Sequence, residues 1–187
     1  MNKIVLFGVI ALLLSGMSQS CKTSQVSADQ AAAEKQVYKM LDSISAVRAA
    51  EAMQNLDFVV NGSRVTIGNG ATFNCDDQTT NFVSVHNGKA MLQLASMRGR
   101  TGYNGLGGVT LEGRITKSDL KTDKNGNMIL VFNVSGPALS AFVNISLPKN
   151  GTQAIVQINP SFRRDLTMYG ALSKYDDTKI FVGSKPF

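Results

Sequence analysis

A chain of 187 residues with a 43% apolar fraction suits one domain with a sizeable core once an N-terminal leader is set aside. Its formal net charge of +6 is spread without any long block of like charges, which argues against a nucleic-acid protein and leaves only weak attraction to anionic surfaces. One histidine excludes a multi-histidine metal centre, and the absence of tryptophan weakens the case for a sugar-stacking platform.

Residues 1–20 read as a secretory signal. Lys3 supplies the positive start and Ile4 to Leu14 is an unbroken apolar run containing one glycine. Eleven helical residues span roughly 16 Å, about half a hydrocarbon core, so the run is a signal and not a permanent anchor. Two readings of its cleavage stand. Cys21 resembles the lipidated cysteine of a bacterial lipoprotein, although Ser18-Gln19-Ser20-Cys21 lacks the usual leucine three residues ahead. Ser18 and Ser20 equally satisfy an ordinary signal peptidase. The lipoprotein reading is preferred because it explains a lone cysteine at that position, and it expects an outer-membrane protein held through Cys21 and facing the periplasm or the cell surface.

Residues 21–28 then read as a lipidated polar tether, followed by a single domain over 29–187. Ser27 with Gln30 resembles a capping box, and the stretch to Met53 is rich in good helix formers. Val37, Met40, Leu41, Ile44 and Val47 recur at helical spacing, so the expectation is a helix laid with this stripe against a sheet. Its charges are mixed, which does not favour a membrane-surface helix.

From Leu56 onward the period is two. Leu56 to Val60 and Val65 to Ile67 flank Asn61-Gly62 and read as a first hairpin; Val83 to Leu94 reads as another, about Asn87-Gly88. Residues 69–80, with Cys75-Asp76-Asp77, read as a loop. Val109, Leu111 and Ile115 alternate with polar residues, and Met128 to Val134 follow the turn at Asn125-Gly126. Leu139 to Leu147, Ala154 to Ile158 and Leu166 to Leu172 complete the series. The expected fold is mainly β (α+β): an N-terminal helix and an antiparallel meander of eight or nine strands, forming a sandwich or a partly closed barrel.

The succession of a lipoprotein-type signal, a helix, Met91-Leu92-Gln93-Leu94, a Gly- and Tyr-bearing loop, Gly108-Val109-Thr110-Leu111-Glu112-Gly113 and a late Tyr169-Gly170-Ala171-Leu172 resembles the uncharacterised lipoproteins of the domain of unknown function 4251 family. In that loop Tyr103 and Gly105 remain, without the proline usual in the family. The resemblance implies a compact envelope domain and brings no activity, cofactor or site with it.

The densest candidate chemistry is Arg98 to Gly108, where glycines expose backbone N–H groups beside Arg98 and Arg100 with Tyr103 among them. These three residues are the expected anion or ligand-binding loop, set against the plainer reading of a loop that closes one end of the sheet. Arg163-Arg164 are candidates for the same patch. His86 reads as a solvated residue before a turn, Cys75 as an inert half of no disulfide once Cys21 is acylated, and Asp76-Asp77 and Asp176-Asp177 as solvated carboxylates. No nucleophile or metal motif is present, so no catalytic residue, cofactor or metal is expected. The functional expectation is a membrane-anchored envelope domain that binds or scaffolds, its protein partner unidentified. The alternatives are a carrier of a small amphiphile in a barrel cavity and a hydrolase with an unrecognised site.

Overall fold

A computed structural model describes residues 22–68, 70–75, 80–95, 109–137, 140–161 and 165–184. The chain divides into two compact units, residues 1–41 and 42–187. In the first, the described part is helical from Lys22 onward, so residues 22–28 of the expected polar tether are helix and the Ser27–Gln30 box lies inside it. The segment contains neither Gly nor Pro, and nothing in it stops a helix from running back toward Cys21. Side chains from Gln30 to Leu41 are all exposed.

The helix, α1 (Lys22–Gln54), ends in the second unit. There Ala49, Ala52 and Met53 join the buried cluster of the sheet, and Ala46 is buried beside them. The expected stripe is not the face that packs. Val37, Met40, Leu41, Ile44 and Val47 are each about half exposed, whereas three small alanines and Met53 make the contact. Small side chains at three-residue spacing let a helix approach a sheet closely, and their modest hydrophobicity hid them behind the larger residues opposite.

Nine strands follow: β1 (Phe58–Ile67), β2 (Thr72–Asn74), β3 (Phe82–His86), β4 (Lys89–Leu94), β5 (Val109–Thr122), β6 (Met128–Ser135), β7 (Ser140–Leu147), β8 (Gln153–Pro160) and β9 (Leu166–Lys174). All pairings are antiparallel between neighbours, and β9 returns to pair with β1 from Phe58↔Lys174 to Ile67↔Leu166. That closing seam settles the choice between sandwich and barrel: β1 and β3 to β9 make an eight-stranded barrel, with β2 alongside the far half of β1.

The Asn-Gly pairs behave in two ways. Asn87 and Gly88 both take positive φ, 50° and 72°, and close a two-residue hairpin with His86 opposite Lys89. Asn61-Gly62 is not a turn, and the expected first hairpin is instead one continuous strand with a bulge between Gly62 and Arg64. At that point a Cβ on Gly170 of β9 would lie 2.0 Å from the Asn61 carbonyl oxygen. Glycine is needed there because the two strands approach too closely for a side chain, which is how a small barrel bends sharply enough to close. The strand β2 sits in the stretch read as loop.

Inside the barrel, Phe58, Leu130, Ile145 and Val156 show no exposed surface, and Phe132, Val143, Ile158 and Leu172 show at most 4%. Residues lining a ligand-sized void would be accessible to water-sized probes, so the described interior is filled with side chains, as eight-stranded barrels permit.

Candidate functional site

The mouth of the barrel reached by α1 gathers the start of β1, the β3–β4 turn and the end of β9. Asp57 immediately precedes Phe58, and its carboxylate Oδ1 lies 2.6 Å from Nδ1 of His86. Asn87 Nδ2 donates to His86 Nε2 at 2.7 Å, which leaves the ring proton on Nδ1 to be donated to Asp57. Tyr175, in a 3₁₀ turn over Tyr175–Asp177, stacks on the imidazole with centroids 4.1 Å apart and planes 10° from parallel. The Tyr175 N–H also reaches the Asp57 carbonyl.

His86 is therefore not the solvated residue expected from its place before a turn: its side chain is 34% exposed and engaged on both nitrogens and one face. Beyond the adjacent Asn87, the partners come from 29 residues before it and from the C-terminal segment, and no local pattern links them. An Asp–His pair is half of a nucleophile-activating set, but here Nε2 is taken by an amide where a hydroxyl or thiol would stand. The arrangement works as a clasp joining the helix–β1 junction, the β3–β4 hairpin and the C-terminal segment.

Beside the clasp lies a cleft of about 390 Å³ walled by Arg48 and Glu51 of α1 and Asn55 just after it, with Asp57, Lys174 and Asp177. Two cations and three carboxylates line it, and Lys174 also lies 3.5 Å from Asp176. Apart from half-buried Asp57 these groups are exposed, so the contacts available are salt-screened and individually weak. Among the described residues no group of three or more His, Cys, Asp or Glu side chains is placed to hold a metal ion.

A second polar cluster lies under the C-terminal segment. Gln93, fully buried on the outer side of β4, donates to the carbonyls of Thr80 and Phe181 at 3.0 and 2.6 Å. Its oxygen accepts from Thr110 Oγ1 at 2.9 Å and from the Gly183 N–H at 2.8 Å. Every hydrogen-bonding position of the amide is used, so the cluster fastens chain and offers nothing to a ligand.

Cys21, Arg98, Arg100, Tyr103 and Arg163-Arg164 lie outside the described residues, as do Asp76-Asp77. The described strand ends on either side of residues 96–108, Leu94 and Val109, pair with each other at the barrel end opposite the β3–β4 turn. Cys75 is half-buried against the core.

A closed eight-stranded antiparallel barrel with an N-terminal helix and a clasped C-terminal segment defines the structural class. The profile of a domain of unknown function, DUF4251, matches residues 41–172, and the chain belongs to that family. It is similar to a crystal structure of a DUF4251 family protein from Bacteroides eggerthii DSM 20697, with 33% identity and a TM-score of 0.64, over 76% of this chain and 96% of that one. No curated protein matches the sequence.

Proposed function

We propose that the protein is an envelope lipoprotein, held to the outer membrane by acyl chains on Cys21, that acts through its surface as a binding or scaffolding domain. The observation that carries this reading is the filled barrel. With Phe58, Leu130, Ile145 and their neighbours closing the described interior, a carried amphiphile has no room there, and recognition falls to the outside. The barrel is apolar within, while Asn133, Asn144, Ser146, Gln153, Gln157 and Asn159 face outward, the reverse of a barrel that spans a membrane with its strands. No helix among the described residues is long and apolar enough to cross one. Anchoring then rests on the lipid, where each buried methylene contributes about 0.8 kcal/mol. The engaged His86 speaks for a non-catalytic role.

The test is fractionation of the wild type and Cys21→Ser, with intact mass measured for both. The wild type is expected in the membrane fraction with an acylated N-terminal cysteine, and the variant in the soluble fraction. A soluble wild type beginning at an unmodified residue overturns the anchor. A small molecule retained in native mass spectra of protein from its own host overturns the filled-barrel reading.

A further inference from the structure

Between Gln30 and Ser45 every side chain of α1 is exposed, yet the segment carries Val37, Met40, Leu41 and Ile44 on one face, which exposed Val47 continues. At 100° per residue this stripe is centred roughly 150° around the helix from Ala46, Ala49, Ala52 and Met53, which pack on the barrel. A helical segment of this length gains little stability alone in water, because most helical stability comes from burying an apolar face. Tyr38 adds a further exposed ring, 67% accessible. The spacing is heptad-like: Val37 and Ile44 occupy one core position, Met40 and Val47 the other, and Glu34, Leu41 and Arg48 share one flank.

We propose that this face is an interface with a second copy of the chain, the two α1 helices packing antiparallel with Leu41 beside the two-fold axis. The charges select the partner and its direction. In an antiparallel pair like flanks meet, so Glu34 of each helix faces Arg48 of the other and Leu41 meets Leu41. Val37 then packs on Val47, and Met40 on Ile44. A parallel pair would instead set Leu41 against Gln36 and Arg48 against Ser43, with no opposite charges meeting along the flank. Neither Glu34 nor Arg48 is in an ion pair among the described residues, so both are available. The mixed polar face, with Lys35 and Lys39 beside Asp42 and Glu51, matches another copy of itself better than an anionic membrane. The inference does not depend on the lipid anchor at Cys21.

The experiment is sedimentation velocity of the full chain in mild detergent over a wide concentration range, with circular dichroism as the folding control. The wild type is expected to form a concentration-dependent dimer. Glu34→Arg should raise its dissociation constant about tenfold, since two attractive flank pairs become repulsive, and adding Arg48→Glu should restore it. Leu41→Cys should form a disulfide dimer under mild oxidation, whereas the wild type should not. A monomer at every concentration overturns the proposal, as does a dimer indifferent to Glu34→Arg or not rescued by the swap. Binding of the chain as a monomer to phosphatidylglycerol vesicles, abolished by Leu41→Glu, would assign the stripe to a membrane and overturn it equally.

Discussion

The strands β6, β7 and β8 alternate cleanly between buried and accessible positions, whereas β1, β3 and β4 are buried on both sides over much of their length. Both groups line the same barrel, so the inner face is not what distinguishes them. The difference lies outside. After β9 the chain is fixed first by Tyr175 on His86 and then by Phe181 and Gly183 on Gln93, so it runs across the outer side of β3 and β4. Val59, Phe82 and Ser84 lie along this path, fully or nearly buried yet not part of the inner cluster. One flank of the barrel is a two-layer structure with its own small polar and apolar core, and the opposite flank has a single layer facing water. A strand that breaks the period of two thus reports a second covered face.

Two phenylalanines give the sharpest way to break this comparison. Phe82 and Phe142 both point outward, but Phe82 has no exposed surface and Phe142 is 46% exposed. Phe82→Ala should cost about 3–5 kcal/mol, the range for emptying a packed aromatic site, and Phe142→Ala less than about 1 kcal/mol. Chemical denaturation of both variants measures the difference. Equal costs would mean that the covered flank is not a packed layer.

A smaller gap is expected between two outward glutamines. Gln93→Leu leaves the carbonyls of Thr80 and Phe181 and the Gly183 N–H without their partner, at a cost of about 2–4 kcal/mol. Gln157→Leu, on exposed β8, should change stability by no more than about 0.5 kcal/mol. Hydrogen exchange refines the point. In Gln93→Leu the Gly183 amide should lose protection while the amides of β7 keep theirs.

Much of this architecture was legible in the sequence, and what was not has physical reasons. The strands from Met128 to Leu172 could be read because one face is wet and the other dry, which is the condition under which period two appears. The helix was legible as an element, but its packing face was not, because Ala46, Ala49 and Ala52 carry less hydrophobic signal than the exposed Val37, Met40 and Ile44. Asn61-Gly62 looked like Asn87-Gly88. Only the partner strand, with Gly170 opposite, tells a bulge from a turn. The clasp of Asp57, His86 and Tyr175 is assembled from three distant segments and leaves no local pattern, while Arg98, Arg100 and Tyr103 lie outside the described residues.

The smallest expected effect belongs to the single-layer flank and should stay local. In the β5–β6 turn, Asp123 accepts from the backbone N–H groups of Asn125 and Asn127 at 2.8 and 2.9 Å, and from Asn127 Nδ2 at 2.9 Å. Asn127 in turn accepts from the Lys149 N–H at 3.1 Å, tying this turn to the next. The Asn127 side-chain bond, followed by its backbone N–H, holds the Asp123 carboxyl below its ordinary value of 3.8. A lowered folded value means that the carboxylate stabilises the turn above the ordinary value, and that this contribution fades as pH falls through the lowered one. As pH falls from 5 through the lowered value, protection relative to intrinsic exchange should therefore weaken at Asn125, Asn127 and Lys149 while the amides of β3 and β4 stay protected. Asp123→Asn should remove that pH dependence. If the variant keeps it, another group controls the turn; if β3 and β4 lose protection in step, the two flanks open as one and the contrast between them is only one of burial.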